Sequence, residues 1–198
     1  MKRLDSPLRT QYAERIGRPR PLVSARTCPL TAFVLLLALL ARSAGAVTSI
    51  TNSNIVTAVT SWIASPTTAT TTWGNIASWD VSAVSNMNEL FSATETGRSA
   101  TFNNNIASWN VASATDMMCL FNGVTAFNQP VGAWNVARVA CFRSTFNGAS
   151  TFNQNIGGWN TARATTLFNM FRYAAAFNQD ISGWNVACVS NMVVRNNR

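Results

Sequence analysis

Trp109, Trp134, Trp159 and Trp184 stand 25 residues apart without exception. Phe127, Phe152 and Phe177 keep the same interval and each opens a Phe-Asn-Gln tripeptide, while Phe102 opens the variant Phe-Asn-Asn. Trp79 begins an earlier copy 30 residues before Trp109, and the five extra residues fall between Phe91 and Phe102, around 94–100. A unit this short cannot bury its own apolar face, so neighbouring units must cover it. That restricts residues 79–198 to a stacked array of about four and a half coils, the last one incomplete.

The columns inside the repeat suggest what each stretch forms. Trp-x-Val places alternate residues on one face and suits a short strand. The steps from Val84 through Met87 to Phe91 suit one or two helical turns. Asn122-Gly123, Asn147-Gly148 and Gly157-Gly158 read as turns between them. The expected fold is therefore an α/β repeat solenoid of leucine-rich-repeat type. Each coil would carry one short parallel strand plus a short helix or turns. Each Trp would rest on the Trp of the next coil at the parallel-strand spacing of about 4.8 Å. The expected structural core is Trp79, Trp109, Trp134, Trp159 and Trp184 with Phe102, Phe127, Phe152 and Phe177.

Two Asn columns accompany these aromatics. Asn103, Asn128, Asn153 and Asn178 follow the Phe, and Asp80, Asn110, Asn135, Asn160 and Asn185 follow the Trp. The structural expectation is that at least one column turns inward and bonds backbone of neighbouring coils, because buried turn backbone must be satisfied. The alternative is an exposed polar ladder that meets a ligand. Pro130 stands where other copies have Asn105, Asn155 and Asp180, so that column does not need its backbone N–H for stacking.

Upstream, residues 47–78 read as an N-terminal helical cap and linker. Ile55, Val56, Val59, Trp62 and Ile63 make a helical apolar face, and 65–72 is a Pro/Thr/Ala linker. Residues 1–46 read as a secretory signal: a long basic stretch, the apolar run Leu30–Ala41, then Ala44-Gly45-Ala46. Cleavage is expected between Ala46 and Val47. The apolar run is about 12 residues, short of the ~20 that span a bilayer. An uncleaved signal-anchor, an organelle transit peptide and a start further downstream are the alternatives. At the other end the last copy stops at Arg198, before its Phe columns. A frayed half-coil, a truncated array and pairing of that end with another copy are the three readings this leaves.

The net charge of +8 suggests nucleic acid until it is located. Residues 1–46 hold eight basic against two acidic residues, and 47–198 hold seven against five. The body is nearly neutral, with no Lys, and the chain has no His, so nucleic-acid binding, Ser-His-Asp and Cys-His catalysis and lysine nucleophiles are all excluded. Asp80 is a rung residue, and Glu89 and Glu95 read as solvated. No enzyme, metal or cofactor is expected. Cys119, Cys141 and Cys188 occupy three different columns without Cys-x-x-Cys spacing, which argues against zinc and leaves thiols, one disulfide or an interchain link open. The body has no Asn-x-Ser/Thr acceptor. Arg138 and Arg163 share one column in neighbouring coils, with Arg143 and Arg172 nearby. They are weak candidates for an anion site, against the plainer reading of a solvated face. The inserted loop, with Glu95 and Arg98, is the other weak candidate, since loops on one face of an array often bind.

The pattern I-x-x-W-[DN]-V-x-x-V-x-x-M-x-x-[LM]-F-x-x-A-x-x-F-N-Q, carried here by 75–87 and 177–186, resembles the repeat of BspA-like leucine-rich-repeat surface proteins. These include mycoplasma-type surface lipoproteins. The resemblance covers about 54–192. It implies a secreted or cell-surface array, in some cases adhesive, and no shared catalytic residue. Thr161, Thr145, Cys141 and Cys188 depart from it. The function expected is a recognition or adhesion scaffold for an extracellular protein or glycan. The alternatives are a self-assembling element of a cell covering, stacking end to end, and a fragment of a longer array. A membrane contact is expected only through an uncleaved leader.

Overall fold

A computed structural model of the chain describes residues 47–93 and 100–193. The expected signal segment, its cleavage position at Ala46, and Glu95 and Arg98 of the inserted loop lie outside the described residues.

Helix α1 (Ile55–Ala64) buries Ile55, Ala58, Val59 and Trp62, the i, i+3, i+4, i+7 stripe of an amphipathic helix. Ser65 then takes the extended backbone that a following proline demands (φ −159°, ψ 97°), which ends α1. Pro66 opens α2 (Pro66–Trp73), with its fixed φ already suited to a first helical position. The segment expected as a linker is thus mostly helix. Gly74, at φ +73°, closes it. Among the described residues the remaining helical element is a single 3-10 turn, Ile76–Ser78.

Successive repeat units pack in register. Isolated parallel bridges run Asn86–Asp116–Cys141–Thr166–Asn191, one per unit. They fall seven residues after each Trp, not at the Trp-x-Val segments where a strand was expected. The stretch expected to be helical is also different. Met117, Cys119, Phe121 and Gly123 donate their N–H groups to carbonyls of Cys141, Arg143, Thr145 and Asn147 in the next unit. The alternate residues Leu120 and Asn122 donate instead three residues back, to Met117 and Cys119. A strand or a helix would commit every backbone group to one partner type, whereas here the groups alternate between neighbour and local turn. All are satisfied without either regular element.

This alternation needs left-handed backbone at two places per unit. Ten residues after the Trp stand Glu89, Cys119, Ser144 and Asn169, all with φ between 52° and 58°. Four residues further stand Gly123, Gly148 and then Tyr173, at 74°, 72° and 58°. Each non-glycine there costs about 1–2 kcal/mol. The inter-unit bond made by the N–H of the same residue offsets the cost at Glu89, Cys119, Ser144 and Asn169.

The core is built from aromatic columns. Phe91, Phe121, Phe146 and Phe171 stack with centroids 5.5, 5.6 and 5.8 Å apart. Phe102, Phe127, Phe152 and Phe177 form a second column at 6.3, 6.0 and 5.9 Å. Within a unit the two Phe rings lie about as close across the insertion (Phe91–Phe102, 4.2 Å) as without it (Phe121–Phe127, 3.8 Å), so the extra residues leave the core register intact. Trp79–Trp109 and Trp159–Trp184 stack at 6.1 and 6.3 Å, wider than the backbone spacing because the indoles are offset. Thr145 and Thr161, two departures from the repeat, are buried with their hydroxyls donated to backbone carbonyls.

Candidate functional site

The Asn columns serve the scaffold in two different ways. Asn128 Oδ1 accepts from Asn153 N–H (3.0 Å) and from Gln154 Nε2 (2.8 Å), both in the next unit. Asn103 and Asn153 repeat this geometry toward Asn128 and Asn178. These side chains bridge units from the exposed or half-buried edge, not from the interior as expected. The column after each Trp turns on itself: Asp80, Asn110, Asn135, Asn160 and Asn185 accept from the N–H two residues on. Hydrogen bonds from Ser82 hold the Asp80 carboxyl below the ordinary carboxylate range, and Ser182 does the same for Asp180. Both acids are engaged in their own turns.

Departures from the repeat on outward-facing columns are what distinguish one unit from the next. Nine residues after the Trp the column reads Asn88, Met118, Arg143, Phe168 and Val193. Beside it runs the bridge column with Cys141, Thr166 and Asn191. Together Met118, Cys141, Arg143, Thr166, Phe168 and Asn191 line a shallow groove of about 410 Å³. Arg143, exposed at the surface, holds its guanidinium 5.5 Å from the Phe168 ring centroid, a cation–π arrangement. The same pairing recurs at Arg172, 4.6 Å from the ring of Tyr173, whose hydroxyl accepts from Arg172 Nη2 at 2.7 Å.

Burial pushes the Cys141 thiol above its ordinary value; the Arg143 backbone opposes the shift, and the neighbouring Asp116 carboxylate adds to it. The thiol in the groove therefore stays protonated at neutral pH and is a soft apolar contact, not a nucleophile. Cys119, Cys141 and Cys188 all remain thiols.

Arg138 and Arg163 are exposed in adjacent units but lie outside the groove, so the anion site suggested by their shared column does not include it. Met118 and Phe168 line the groove from units two repeats apart, and the sequence raises no expectation for either; the change of residue type from unit to unit nine residues after the Trp is the signal that marks them. A second depression, about 440 Å³, lies against Trp73, Trp79 and Val47–Thr51. Its acid, Asp80, is the turn residue described above. Among the described residues no helix is long and apolar enough to cross a membrane, and no three His, Cys, Asp or Glu side chains gather at metal-binding distance.

A family model described as "Mycoplasma protein of unknown function, DUF285" matches residues 48–140 and again 96–195. No curated protein and no solved structure matches the chain.

Proposed function

Since the chain belongs to the family described as "Mycoplasma protein of unknown function, DUF285", we propose that it is a BspA-like surface protein. Its units stack as a leucine-rich-repeat-like solenoid behind a helical N-terminal cap, and it acts outside the cytoplasm as a recognition scaffold without catalysis. The groove over Met118, Cys141, Arg143 and Phe168 carries this reading. A fixed backbone presents there an apolar floor, an aromatic edge and one cation. Apolar and aromatic contacts with a few placed polar groups are the composition of a binding surface. The groove is shallow and mostly apolar, which favours a protein segment bearing an acidic residue beside apolar ones over a sulfated glycan.

The test is selection of displayed peptides and of a sulfated-glycan set on the purified full chain, repeated with Arg143→Ala and Phe168→Ala. The reading requires acidic–apolar peptides whose affinity falls at least about tenfold in each variant, or about 1.4 kcal/mol, with unchanged circular dichroism. Ligands that bind both variants as well as the parent would refute the groove as the site. Recovery of the protein in the medium or on the surface, beginning at Val47, tests the compartment.

A further inference from the structure

The depression of about 440 Å³ against Trp73 and Trp79 lies where the helical cap meets the first repeat unit, and its volume falls in the small-molecule range of roughly 300–1,000 Å³. Trp79 and Asp80 of the first unit form one wall. The extended segment 47–51 and the end of α2, with Trp73 and Gly74, form the rest. These walls are tied down. Thr48 N–H donates to the Thr72 carbonyl (2.9 Å), Thr51 N–H to Asn54 Oδ1 (2.8 Å) and Asn54 Nδ2 to the Ser49 carbonyl (2.9 Å). Ile50 is buried in the core. Gly74, at φ +73°, lets Val47 lie close, since a Cβ there would stand 3.3 Å from Val47 Cγ1. Trp73 is half-buried and lines the depression with the part of its indole that stays exposed.

The fold does not require the charge at this wall. Asp80, Asn110, Asn135, Asn160 and Asn185 all accept from the N–H two residues on, so an amide does the work of that turn as well as a carboxylate. Within this column only the unit that borders the depression carries an acid. Ser82 gives Asp80 two hydrogen bonds, from its N–H and its hydroxyl, which fill about half of the lone-pair sites of a carboxylate. Among the described residues no basic nitrogen pairs with Asp80. Residues 47–93 hold two acids, Asp80 and Glu89, and no Lys or Arg. The column that runs through Ala83 and Ser113 reaches a basic residue only at Arg138, two units on.

A carboxylate without a cationic partner, held beside an indole face, is an arrangement that attracts an organic cation. The acceptors available say which kind. The carbonyls of Ser49, Thr51 and Gly74 line the depression and already take donors from Asn54 Nδ2, from Asn54 N–H and Ile55 N–H, and from Trp79 Nε1. A primary ammonium brings three N–H donors that each need an acceptor. A quaternary ammonium brings none and presents methyl groups to the ring. We propose that this depression binds a small quaternary ammonium group, with the Trp73 indole against its methyl groups and the Asp80 carboxylate beside its charge. The site is separate from the groove, where the charge is the cation Arg143, and it does not depend on that reading.

The test titrates the full chain with choline, followed by tryptophan fluorescence. In the full chain no free α-amino group stands at Val47 to compete. Choline should saturate with a Kd of about 0.1–10 mM. Ethanolamine, and the neutral isostere of choline with carbon in place of nitrogen, should each bind at least about tenfold more weakly. Asp80→Asn keeps the turn, as Asn110 and Asn135 do, and should weaken choline at least about tenfold with an unchanged urea midpoint. Trp73→Leu should do the same. Flotation with vesicles whose headgroups carry choline, against vesicles that lack it, separates the two sources of the ligand. A choline-dependent difference that Asp80→Asn abolishes assigns a lipid headgroup, and saturation by free choline without that difference assigns a free solute. No saturation below about 100 mM, equal affinity for ethanolamine or the neutral isostere, or parental affinity in Asp80→Asn would each overturn the proposal.

Discussion

The indole Nε1–H of Trp109 donates to the carbonyl of Ile76, 2.8 Å away in the preceding unit. The same bond joins Trp134 to Ile106, Trp159 to Val131 and Trp184 to Ile156. A Trp recurring at a fixed interval here does more than fill space. It is the side chain large enough to reach the previous unit and still carry a donor.

Replacing Trp109 by Phe keeps an aromatic ring but leaves the buried Ile76 carbonyl with only the longer bond from Trp79 N–H, at 3.3 Å. The expected loss is about 1.5–3 kcal/mol, the sum of one lost buried hydrogen bond and lost packing. Urea unfolding of Trp109→Phe against the parent measures it, and a loss under about 1 kcal/mol would show that water replaces the indole.

Asn128 and Asn110 are the same residue type in two columns with different duties. Asn128 serves a backbone N–H and a side chain in the next unit, whereas Asn110 serves only Ala112 N–H in its own turn. Asn128→Ala should therefore cost about 1.5–3 kcal/mol and Asn110→Ala about 0.5–1. Paired denaturant melts decide, and equal losses would mean that the inter-unit bonds add nothing.

Gly148 sits at φ +72° with room at its Cβ position limited by Gly123 Cα at 3.4 Å, while Tyr173 takes the same backbone at +58°. Gly148→Ala is expected to destabilise by about 1–2 kcal/mol. Tyr173→Gly should leave the melting temperature unchanged or raise it, since relief of strain outweighs an exposed ring contact. A drop in Tm for Tyr173→Gly would identify the Arg172–Tyr173 pair as structurally important.

Cys141 gives a pH signature. Its folded thiol lies above the ordinary value of 9.0, chiefly from burial, so the folded state favours the neutral form. That contribution is complete below the ordinary value and is lost as pH rises through the higher folded one. The stability difference between the parent and Cys141→Ala should shrink or reverse from about pH 7 to about pH 10. A constant difference would contradict the shift. At mildly alkaline pH iodoacetamide should modify the exposed Cys188 before Cys141.

The sequence by itself determined the period, the core columns and the segment that forms α1, because burial of large apolar side chains at fixed spacing leaves few other placements. Trp109, Phe127 and Phe152 were legible for that reason. Where the backbone bonds run was decided only by the tertiary structure. The Val84–Phe91 spacing fits helical turns equally well, and nothing local says that alternate N–H groups reach the next unit. Likewise Asn103 and Asn110 look interchangeable until a neighbour lies against one of them. The groove over Met118 and Phe168 exists only once units stack. It joins residues one repeat or more apart, and no window of sequence holds that information.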